Sequence, residues 1–531
     1  MNIHGKNFIG TTLSATGTEH SQAYHLKSGK ALDGEFISAT EHELNQAMEL
    51  AFAAFQDYKR LSQSRRADFL EAIAHEISTL SDEAIERVTQ ETALPKARIM
   101  GESARTIGQL NSFANLLREG SWLEATIDLA QADRQPIPKV DIRRMMVPIG
   151  PVAVFAASNF PLAFSVAGGD TASALAAGNP VIVKAHSGHM GTSEMIANAI
   201  IIAAKKTGMP DGVFSMLHGP GRTIGQGLVK HPILKAVGFT GSLSAGRLLF
   251  DLANARPEPI PVFAEMGSIN PVFVAPKALE LHGNDIAKQY AASITLGVGQ
   301  FCTNPGLIIG LAGNDLDQFI TTLGHEIALI APATMLNQTV FNGYQKSYDT
   351  LISQSGIQSE AVSDQEAHST KCEAPSTVAS VAGKTFLSNA KFREEVFGPF
   401  SLIVKCADSK ELEAVLSRLE GQLTTTIMAE KSELDGFASI IEILSQRSGR
   451  ILFNGVPTGV EVCAAMQHGG PYPACTDSRF TSVGTAAIKR FVRPLAFQNW
   501  PDESLPDELK NSNPLGIWRL VDNNWNNNAI A

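Results

Sequence analysis

One thiol and one carboxylate lie in segments where a polypeptide chain turns sharply. Cys302 lies in the glycine-rich segment 297–303, GVGQFCT, and Glu265 leaves an apolar run in the segment 263–271, FAEMGSINP. A thiolate can attack a carbonyl carbon, and a carboxylate can later activate the water that releases the acyl group. Together the two segments predict covalent catalysis with a hydrolytic second half.

Two further polar residues lie in turn-forming segments. Asn159 lies in the segment 158–161, SNFP, directly after an apolar strand pattern, and its amide can donate to a developing oxyanion. An Asn-x-Pro segment commonly forms a turn and nothing more. His468 lies in the segment 466–471, MQHGGP, where it can approach and tune the thiol. A loop histidine without a catalytic duty explains this segment equally well.

A cofactor site is indicated where predicted strands end. Gly241 and Ser242 follow a strand and enter a helix, and a helix N-terminus favours a phosphate group. The segment has no G-x-G-x-x-G pattern, so a plain strand-to-helix turn is an equal alternative. Lys184 ends an apolar strand, at the edge where open α/β sheets bind ligands, although a surface lysine would look the same.

Four other residues refine that site. Ser187 lies three residues after Lys184, where a small hydroxyl leaves room for the 2′-phosphate of NADP, and Arg222 can supply a second cation. Glu395 and Phe397 lie in EEVFGP, where a carboxylate can accept from ribose hydroxyls and an aromatic ring can pack on a nicotinamide. The alternative for EEVFGP is a charged turn before a strand.

No metal site is predicted. The segments 75–79 and 325–329 begin with His-Glu but end in threonine and leucine, so neither completes H-E-x-x-H. His186 and His189 lie three residues apart without an evident third ligand.

Composition narrows the class of protein. The chain has 531 residues, 44% of them hydrophobic, and a net charge of −10, which predicts more than one domain and argues against nucleic acid or an anionic membrane as a partner. The first 13 residues show no secretory signal, and the apolar stretch 196–204 is too short to span a bilayer. Five cysteines without C-x-x-C argue against a disulfide framework, so we expect a cytoplasmic protein.

The elements that must position these residues follow from hydrophobic periodicity. Strand patterns at 152–155, 180–184, 213–217 and 235–240 alternate with helical patterns at 164–177, 192–206, 224–230 and 245–253. This alternation predicts an α/β fold with a parallel, doubly wound sheet. Amphipathic helices are predicted before it, from Leu44 to Phe55 and from Ser64 to Ile77. Residues 123–146 predict a hairpin or an arm, and the Asn-rich C-terminus predicts a poorly packed or interacting tail.

In combination and in order, these motifs resemble the aldehyde dehydrogenase superfamily over roughly residues 25–500. The resemblance implies that Cys302 is the nucleophile, Glu265 the general base, and Asn159 with the Cys302 backbone N–H the oxyanion hole. It also assigns the cofactor contacts: Lys184 and Glu395 to the ribose hydroxyls, Phe397 to the nicotinamide, and Ser242 to the pyrophosphate.

The chain departs from the commonest family members at two motifs. The usual E-L-G-G-K is EMGSI at 265–269, and the usual K-P-S-E is KAHS at 184–187. The segments 159–165 and 468–473 resemble a subgroup that contains α-ketoglutaric semialdehyde (2,5-dioxovalerate) dehydrogenases and the NADP-dependent fatty aldehyde dehydrogenase of luminous bacteria. In that subgroup a hydroxyl at the position of Ser187 and an arginine at that of Arg222 accompany NADP use, and the histidine matching His468 lies near the nucleophile.

The resemblance also implies a domain organisation. We expect a Rossmann-type cofactor domain in 1–122 and 147–267, a catalytic α/β domain in 268–492, and a small β oligomerisation arm with the tail in 123–146 and 493–531. A homodimer or homotetramer follows from the same resemblance.

The expected activity is oxidation of an aldehyde to a carboxylate with NADP⁺, with NAD⁺ as the alternative cofactor. The preferred substrate is α-ketoglutaric semialdehyde, and a medium- or long-chain aliphatic aldehyde is the second choice. Four residues are expected at the substrate: Phe160, Phe164, Val460 and Tyr472. The sequence assigns no arginine to a substrate carboxylate.

Three other activities explain the motif residues less completely. A CoA-acylating dehydrogenase would not need the base Glu265, because CoA replaces water. A cysteine hydrolase would leave Lys184, Gly241 and Glu395 without a purpose. A catalytically silent relative would not need Cys302 and Glu265 intact.

Overall fold

The computed structural model describes residues 3–530. Its helices are α1 (Glu41–Tyr58), α2 (Gln63–Ser78), α3 (Asp82–Thr92), α4 (Lys96–Glu119), α5 (Gly169–Ala177), α6 (Met190–Thr207), α7 (Gln226–Lys230), α8 (Leu243–Asn254), α9 (Pro276–Thr295), α10 (Asn314–Ala328), α11 (Gln338–Ile352), α12 (Gly383–Ser388), α13 (Ser409–Arg418) and α14 (Ala438–Ser445). Its strands are β1 (Asn7–Ile9), β2 (Thr12–Ser14), β3 (His20–His25), β4 (Lys30–Ile37), β5 (Thr126–Asp128), β6 (Ile142–Pro148), β7 (Val152–Phe155), β8 (Val181–Lys184), β9 (Phe214–Leu217), β10 (Ala236–Thr240), β11 (Val262–Glu265), β12 (Val272–Val274), β13 (Leu307–Leu311), β14 (Ala333–Thr334), β15 (Ile357–Val362), β16 (Glu373–Ala374), β17 (Thr377–Ala382), β18 (Phe400–Cys406), β19 (Gln422–Met428), β20 (Ser448–Phe453), β21 (Val492–Gln498), β22 (Arg519–Val521) and β23 (Asn524–Asn526).

The first large sheet has the strand order β11-β10-β7-β8-β9-β1-β2. Strands β7 to β11 are parallel, and β1 and β2 add an antiparallel edge. Strands β8 and β9 follow β7 on one side of it, and the later strands β10 and β11 lie on its other side. This reversal creates a crevice at the carboxyl ends of β7 and β10, where such sheets bind ligands. The predicted doubly wound α/β fold is confirmed.

The helices before this sheet form because their apolar residues recur on one face. In α1 the Thr40 side chain and Glu43 form a reciprocal capping box, and Leu44, Met48 and Ala51 are buried. Phe52, which lies within the predicted helix from Leu44 to Phe55, is on the outer face and is 49% exposed.

One predicted helix begins later than its pattern suggested. Small and apolar residues favoured a helix from residue 164, yet α5 begins only at Gly169. The preceding segment is a turn whose Leu162 and Ala163 N–H groups donate to the buried carboxylate of Glu102, at 2.8 and 2.9 Å. Glu102 lies on α4, so the contact that replaces helical hydrogen bonds comes from a distant part of the sequence.

The second large sheet has the order β15-β17-β18-β13-β12-β19-β20 and is parallel except for β15. A third sheet, β21-β6-β5-β22-β23, joins the segment after Ser121 to the C-terminus. The three sheets therefore draw on residues 7–265, 272–453, and the two segments 126–148 and 492–526. The domain boundaries given above stay a prediction.

The Asn-rich tail is packed, contrary to the expectation of a poorly packed segment. Ile517 is buried and Arg519 is fully buried, because its guanidinium donates to the carbonyls of Lys510 and Asn528. Strand β22 also pairs with β5. Backbone carbonyls of the tail thus accept hydrogen bonds from a buried guanidinium, and a composition rich in asparagine does not predict such contacts. No helix of the described residues is long and apolar enough to cross a membrane.

Candidate active site

Cys302 and Glu265 come together although one lies in a turn and the other at the end of a strand. Glu265 ends β11, and Cys302 follows the turn that leaves α9. The Cys302 Sγ lies 3.4 Å from the Nε2 of His468, and that nitrogen lies 3.1 Å from a carboxylate oxygen of Glu265. The three groups lie within 4.8 Å of one another.

The turn before Cys302 has an unusual backbone. Gly297, Val298 and Gly299 all have left-handed φ angles, of 56°, 59° and 65°. A β-branched residue such as Val298 rarely adopts this conformation, so the local conformation is strained. A Cβ on Gly299 would lie 2.1 Å from the carbonyl oxygen of Gly398. Glycine at 299 therefore allows the turn to press against the segment that contains Glu395.

Burial and charge oppose the ionisation of the thiol. Burial raises the pKa of Cys302 well above its ordinary value, and the neighbouring Glu265 carboxylate raises it further, while Arg105 acts in the opposite direction. A positively charged nicotinamide ring beside the thiol would favour the thiolate. The protein groups alone have the reverse net effect.

Glu265 is held in its ionised form despite being buried. Burial on its own would raise its pKa, but the His468 ring and a hydrogen bond from Ser482 outweigh it, and the net pKa is lowered. The Ser482 hydroxyl donates to Glu265 at 2.6 Å. The site therefore pairs a protonated thiol with an ionised carboxylate, which is the arrangement in which the carboxylate can accept a proton.

Several residues that hold this site were not singled out from the sequence. Asn270 donates to the backbone carbonyls of Cys302 and Asn304, both at 2.9 Å, and Gln422 accepts from the N–H of Ile269 at 2.8 Å. Ser482 likewise escaped notice. All three are common polar residues, and nothing in their local sequence marks them.

Asn159 lies beside the nucleophile turn. Its side-chain amide donates to the Gln300 carbonyl at 3.1 Å, two residues before Cys302. The amide is therefore directed at the turn that carries the thiol. Its role as an oxyanion donor stays a prediction.

A cavity of about 340 Å³ opens above the thiol. Its walls include predicted substrate residues, Phe160, Phe164 and Val460, together with Phe301. It also contains charged residues that the sequence had not assigned: Arg98, Glu102 and Arg105 of α4.

Tyr472 lies elsewhere. It is 53% exposed, and its hydroxyl accepts from Arg247 of α8 at 3.4 Å. It is not among the residues that line the cavity, so the expected contact with substrate has no geometric support.

The carboxyl edge of the first sheet carries the predicted cofactor residues. Lys184 ends β8, and burial lowers its pKa to about 8. Among the described residues no carboxylate lies within ion-pair distance of it. Gly241 and Ser242 lie exposed at the N-terminus of α8, where the Ser242 hydroxyl caps the helix by accepting from the Ala245 N–H.

Ser187 and Arg222 lie at neighbouring positions of the same edge. Strands β8 and β9 are adjacent and parallel, with Lys184 opposite Leu217, and each residue follows one of these strands. Both side chains are exposed. Among the described residues no ion pair engages Arg222, so its guanidinium is available to an anion.

Glu395 and Phe397 lie between the two large sheets. A small cleft lined by both residues also contains Ser268, Gly299 and Phe301, which places them next to the nucleophile turn. Burial raises the pKa of Glu395 to about 7, and its carboxylate accepts a hydrogen bond from the Ser268 N–H at 3.4 Å. The spare acceptor capacity of Glu395 and a Lys184 ammonium that no described carboxylate neutralises both fit a polar ligand such as a dinucleotide.

The thiol, imidazole and carboxylate are also ligand types that zinc accepts. The expectation of no metal therefore stays a prediction.

The chain resembles known proteins in sequence and in structure. The sequence model of the "Aldehyde dehydrogenase family" matches residues 27–472. The chain is 49% identical over 523 residues to "Alpha-ketoglutaric semialdehyde dehydrogenase 2" of Azospirillum brasilense, covering 98% of this chain and 99% of the relative. It is 46% identical over 519 residues to "Alpha-ketoglutaric semialdehyde dehydrogenase" of Acinetobacter baylyi, covering 98% of each.

Solved structures share the fold at low sequence identity. Betaine aldehyde dehydrogenase from Staphylococcus aureus in complex with NAD⁺ superimposes with a TM-score of 0.80 at 16% identity, covering 93% of this chain and 95% of that one. The Thermus 1-pyrroline-5-carboxylate dehydrogenase with bound NAD gives 0.78 at 20% identity, covering 94% and 93%.

Proposed function

The chain belongs to the aldehyde dehydrogenase family and is an oxidoreductase that acts on aldehydes, and from that premise we propose that it oxidises α-ketoglutaric semialdehyde to 2-oxoglutarate with NADP⁺. The observation that supports this most directly is the thiol–imidazole–carboxylate cluster below the cavity. The two relatives named for this substrate are similar over nearly the full chain.

The first step is attack of the Cys302 sulfur on the aldehyde carbon. The thiol proton passes to the ionised Glu265, directly or through His468, whose Nε2 lies between the two groups. The carbonyl π electrons move to oxygen, and the Asn159 amide with the Cys302 N–H stabilises the oxyanion. A donor in this position contributes on the order of 10²–10³ in rate.

A nicotinamide held here would supply the acceptor for the hydride that leaves the same carbon. Loss of hydride converts the adduct on Cys302 into a thioester. Lys184, Ser242 and Glu395 would hold the cofactor, and Phe397 would keep its reactive ring beside the cavity.

Hydrolysis completes the cycle. Glu265 first releases the thiol proton to solvent water, and in its ionised form it then removes a proton from the water that attacks the thioester carbon. Collapse releases the carboxylic acid and the Cys302 thiolate. The hydrogen bond from Ser482 favours the ionised base that this step needs.

The proposed preference for NADP⁺ rests on the Lys184 edge of the sheet. Ser187 offers a hydroxyl where an acid would repel a 2′-phosphate, and the exposed Arg222 on the neighbouring strand end offers a cation. The second candidate substrate, a medium-chain aliphatic aldehyde, is favoured by the three phenylalanines that line the cavity.

A steady-state assay tests the proposal. Formation of reduced cofactor would be followed for α-ketoglutaric semialdehyde and for hexanal, each with NADP⁺ and with NAD⁺. We expect the highest kcat/KM for the semialdehyde with NADP⁺. A preference for hexanal would transfer the proposal to the aliphatic substrate, and a preference for NAD⁺ would refute the assignment of Ser187 and Arg222. A requirement for added CoA would refute hydrolysis by Glu265.

A further inference from the structure

The cavity above Cys302 contains two arginines from one helix. Arg98 and Arg105 lie seven residues apart on α4, which places them about two turns apart on one face. Both line the cavity with Phe160, Phe164 and other apolar side chains. Cations in so apolar a site require partners, and the two arginines differ in the partners they have.

Arg98 is already neutralised. Its Nη1 lies 3.1 Å from a carboxylate oxygen of Glu102, whose side chain is fully buried. The Arg98 guanidinium also lies over the rings of Phe160 and Phe301, at 4.5 and 5.0 Å from their centroids. These contacts make Arg98 part of the cavity wall.

Arg105 has spare donors. Its Nη1 donates to the uncharged backbone carbonyl of Val460 at 2.7 Å, and its buried Nε has no hydrogen-bond partner. Among the described residues no carboxylate lies within 4 Å of its guanidinium. Its charge opposes, without reversing, the rise in the pKa of the Cys302 thiol that burial causes.

A third arginine near the thiol is differently placed. Arg450 of β20 donates to the Pro457 carbonyl at 3.2 Å and to the Met466 sulfur at 3.8 Å. It is not among the residues that line the cavity. Of the two arginines that line the cavity, Arg105 is therefore the one whose charge no described carboxylate neutralises.

We propose that Arg105 binds the carboxylate of the aldehyde substrate and thereby selects aldehydes that carry an acid group at the end remote from the reacting carbon. The inference rests on the proposed function, which supplies such a substrate. A guanidinium presents parallel N–H donors that match the two oxygens of a carboxylate. In an apolar cavity that pairing both orients the chain and offsets the cost of burying the cation.

The test compares two aldehydes of equal carbon number, α-ketoglutaric semialdehyde and pentanal, on wild-type protein and on Arg105→Met. We expect Arg105→Met to lower kcat/KM for the semialdehyde roughly 10- to 100-fold, the range for a lost hydrogen bond to a charged group, and to change that for pentanal little. Arg105→Lys keeps the positive charge but not the parallel N–H donors of the guanidinium, and we expect an intermediate decrease in kcat/KM for the semialdehyde.

Arg98→Met is the matched control, because it removes a guanidinium from the same helix and the same cavity. We expect it to affect both aldehydes alike, so that their ratio of kcat/KM is unchanged. A direct measurement uses the product: calorimetric binding of 2-oxoglutarate to the full chain should weaken in Arg105→Met and not in Arg98→Met. Near-native circular dichroism of each variant excludes misfolding.

The outcomes separate the inference from the proposed function. Equal turnover of both aldehydes by wild-type protein would refute the proposed substrate, and the inference with it. Preference for the semialdehyde that survives Arg105→Met, or that disappears in Arg98→Met instead, would refute only the role of Arg105. An equal decrease in kcat/KM for both aldehydes in Arg105→Met, together with a shift of the thiol alkylation profile to higher pH, would show that Arg105 acts on Cys302 rather than on the substrate.

Discussion

At the scale of single residues, the Cys302 thiol depends on its neighbours for reactivity. Burial and the Glu265 carboxylate both raise its pKa. We predict that, without cofactor, iodoacetamide alkylates Cys302 at a rate that keeps rising through pH 9. Glu265→Gln removes the charge that opposes thiolate formation, so the profile should move to lower pH.

The alkylation experiment needs two precautions. Cys463 is exposed, so it is carried out in a Cys463→Ser background, whereas the other three cysteines are buried. Glu258→Gln makes the same chemical change at an exposed ion pair with Lys235, on the first sheet, and should leave the profile unchanged. A profile for Glu265→Gln that stays in place or moves to higher pH would contradict the proposed electrostatic role.

Arg222 is predicted to discriminate between the two cofactors. Arg222→Ala should raise the KM for NADP⁺ roughly 10-fold or more, because a charge-assisted bond to phosphate is lost, and leave that for NAD⁺ nearly unchanged. Arg60→Ala, which removes an exposed arginine just after α1, is the control. Equal increases for both cofactors would show that Arg222 does not contact the 2′-phosphate.

The sequence allowed only part of the site to be predicted. Cys302 and Glu265 could be selected because each lies in a short segment with a distinctive turn composition. Ser482 and Arg105 could not, because each acts across more than 190 positions of sequence separation, on Glu265 and Cys302 respectively. The position of Tyr472 outside the cavity lining could not be predicted, because a turn-rich segment does not fix the direction of a side chain.

At the scale of elements, the turn from α9 to Cys302 is predicted to tolerate no side chain at Gly299. Its φ of 65° and the 2.1 Å approach of a Cβ to the Gly398 oxygen both oppose substitution. Gly299→Ala should lower the free energy of unfolding by about 1–3 kcal/mol and remove most activity by displacing the thiol. Thermal unfolding and the aldehyde assay together measure this.

Gly283→Ala provides the contrast. Gly283 lies inside α9, and a Cβ there would meet nothing within 4 Å. Alanine should therefore stabilise the protein by about 0.5–1 kcal/mol and leave turnover intact. Equal effects of the two substitutions would contradict the assignment of the strained turn.

Strands and helices of the first sheet were predictable for a physical reason. Strands β7 to β10 are buried on both faces, so their apolar runs are local signals. The start of α5 was not predictable, because the carboxylate that holds the preceding turn belongs to Glu102, about 60 residues earlier.

At the scale of the whole molecule, two sheets end in strands that are paired on one side only. Strand β21 ends the third sheet and exposes Leu495, and β20 ends the second sheet and exposes Ile451 and Phe453. Edge strands with exposed apolar residues pair readily with another chain. We therefore propose that copies of the chain associate through these edges, as the expected dimer or tetramer requires.

Leu495→Asp tests this association. A charge on β21 should lower the mass measured by light scattering in solution toward that of a monomer. Leu329→Asp places the same charge on an exposed leucine just after α10 and should leave the mass unchanged. An unaltered mass for Leu495→Asp would show that contact lies on another face.

The backbone hydrogen bonds beside Glu265 bear on how the protein loses activity in denaturant. The Met266 N–H donates to the Ala474 carbonyl at 2.7 Å, and the Thr476 N–H donates to the Ala264 carbonyl at 3.1 Å. These two backbone hydrogen bonds join the sheet that carries the base to the region around the thiol. If these two hydrogen bonds break before either sheet unfolds, a low concentration of denaturant would abolish activity while the circular dichroism spectrum remains native. Exchange of the Met266 amide for deuterium should then keep pace with inactivation rather than with global unfolding.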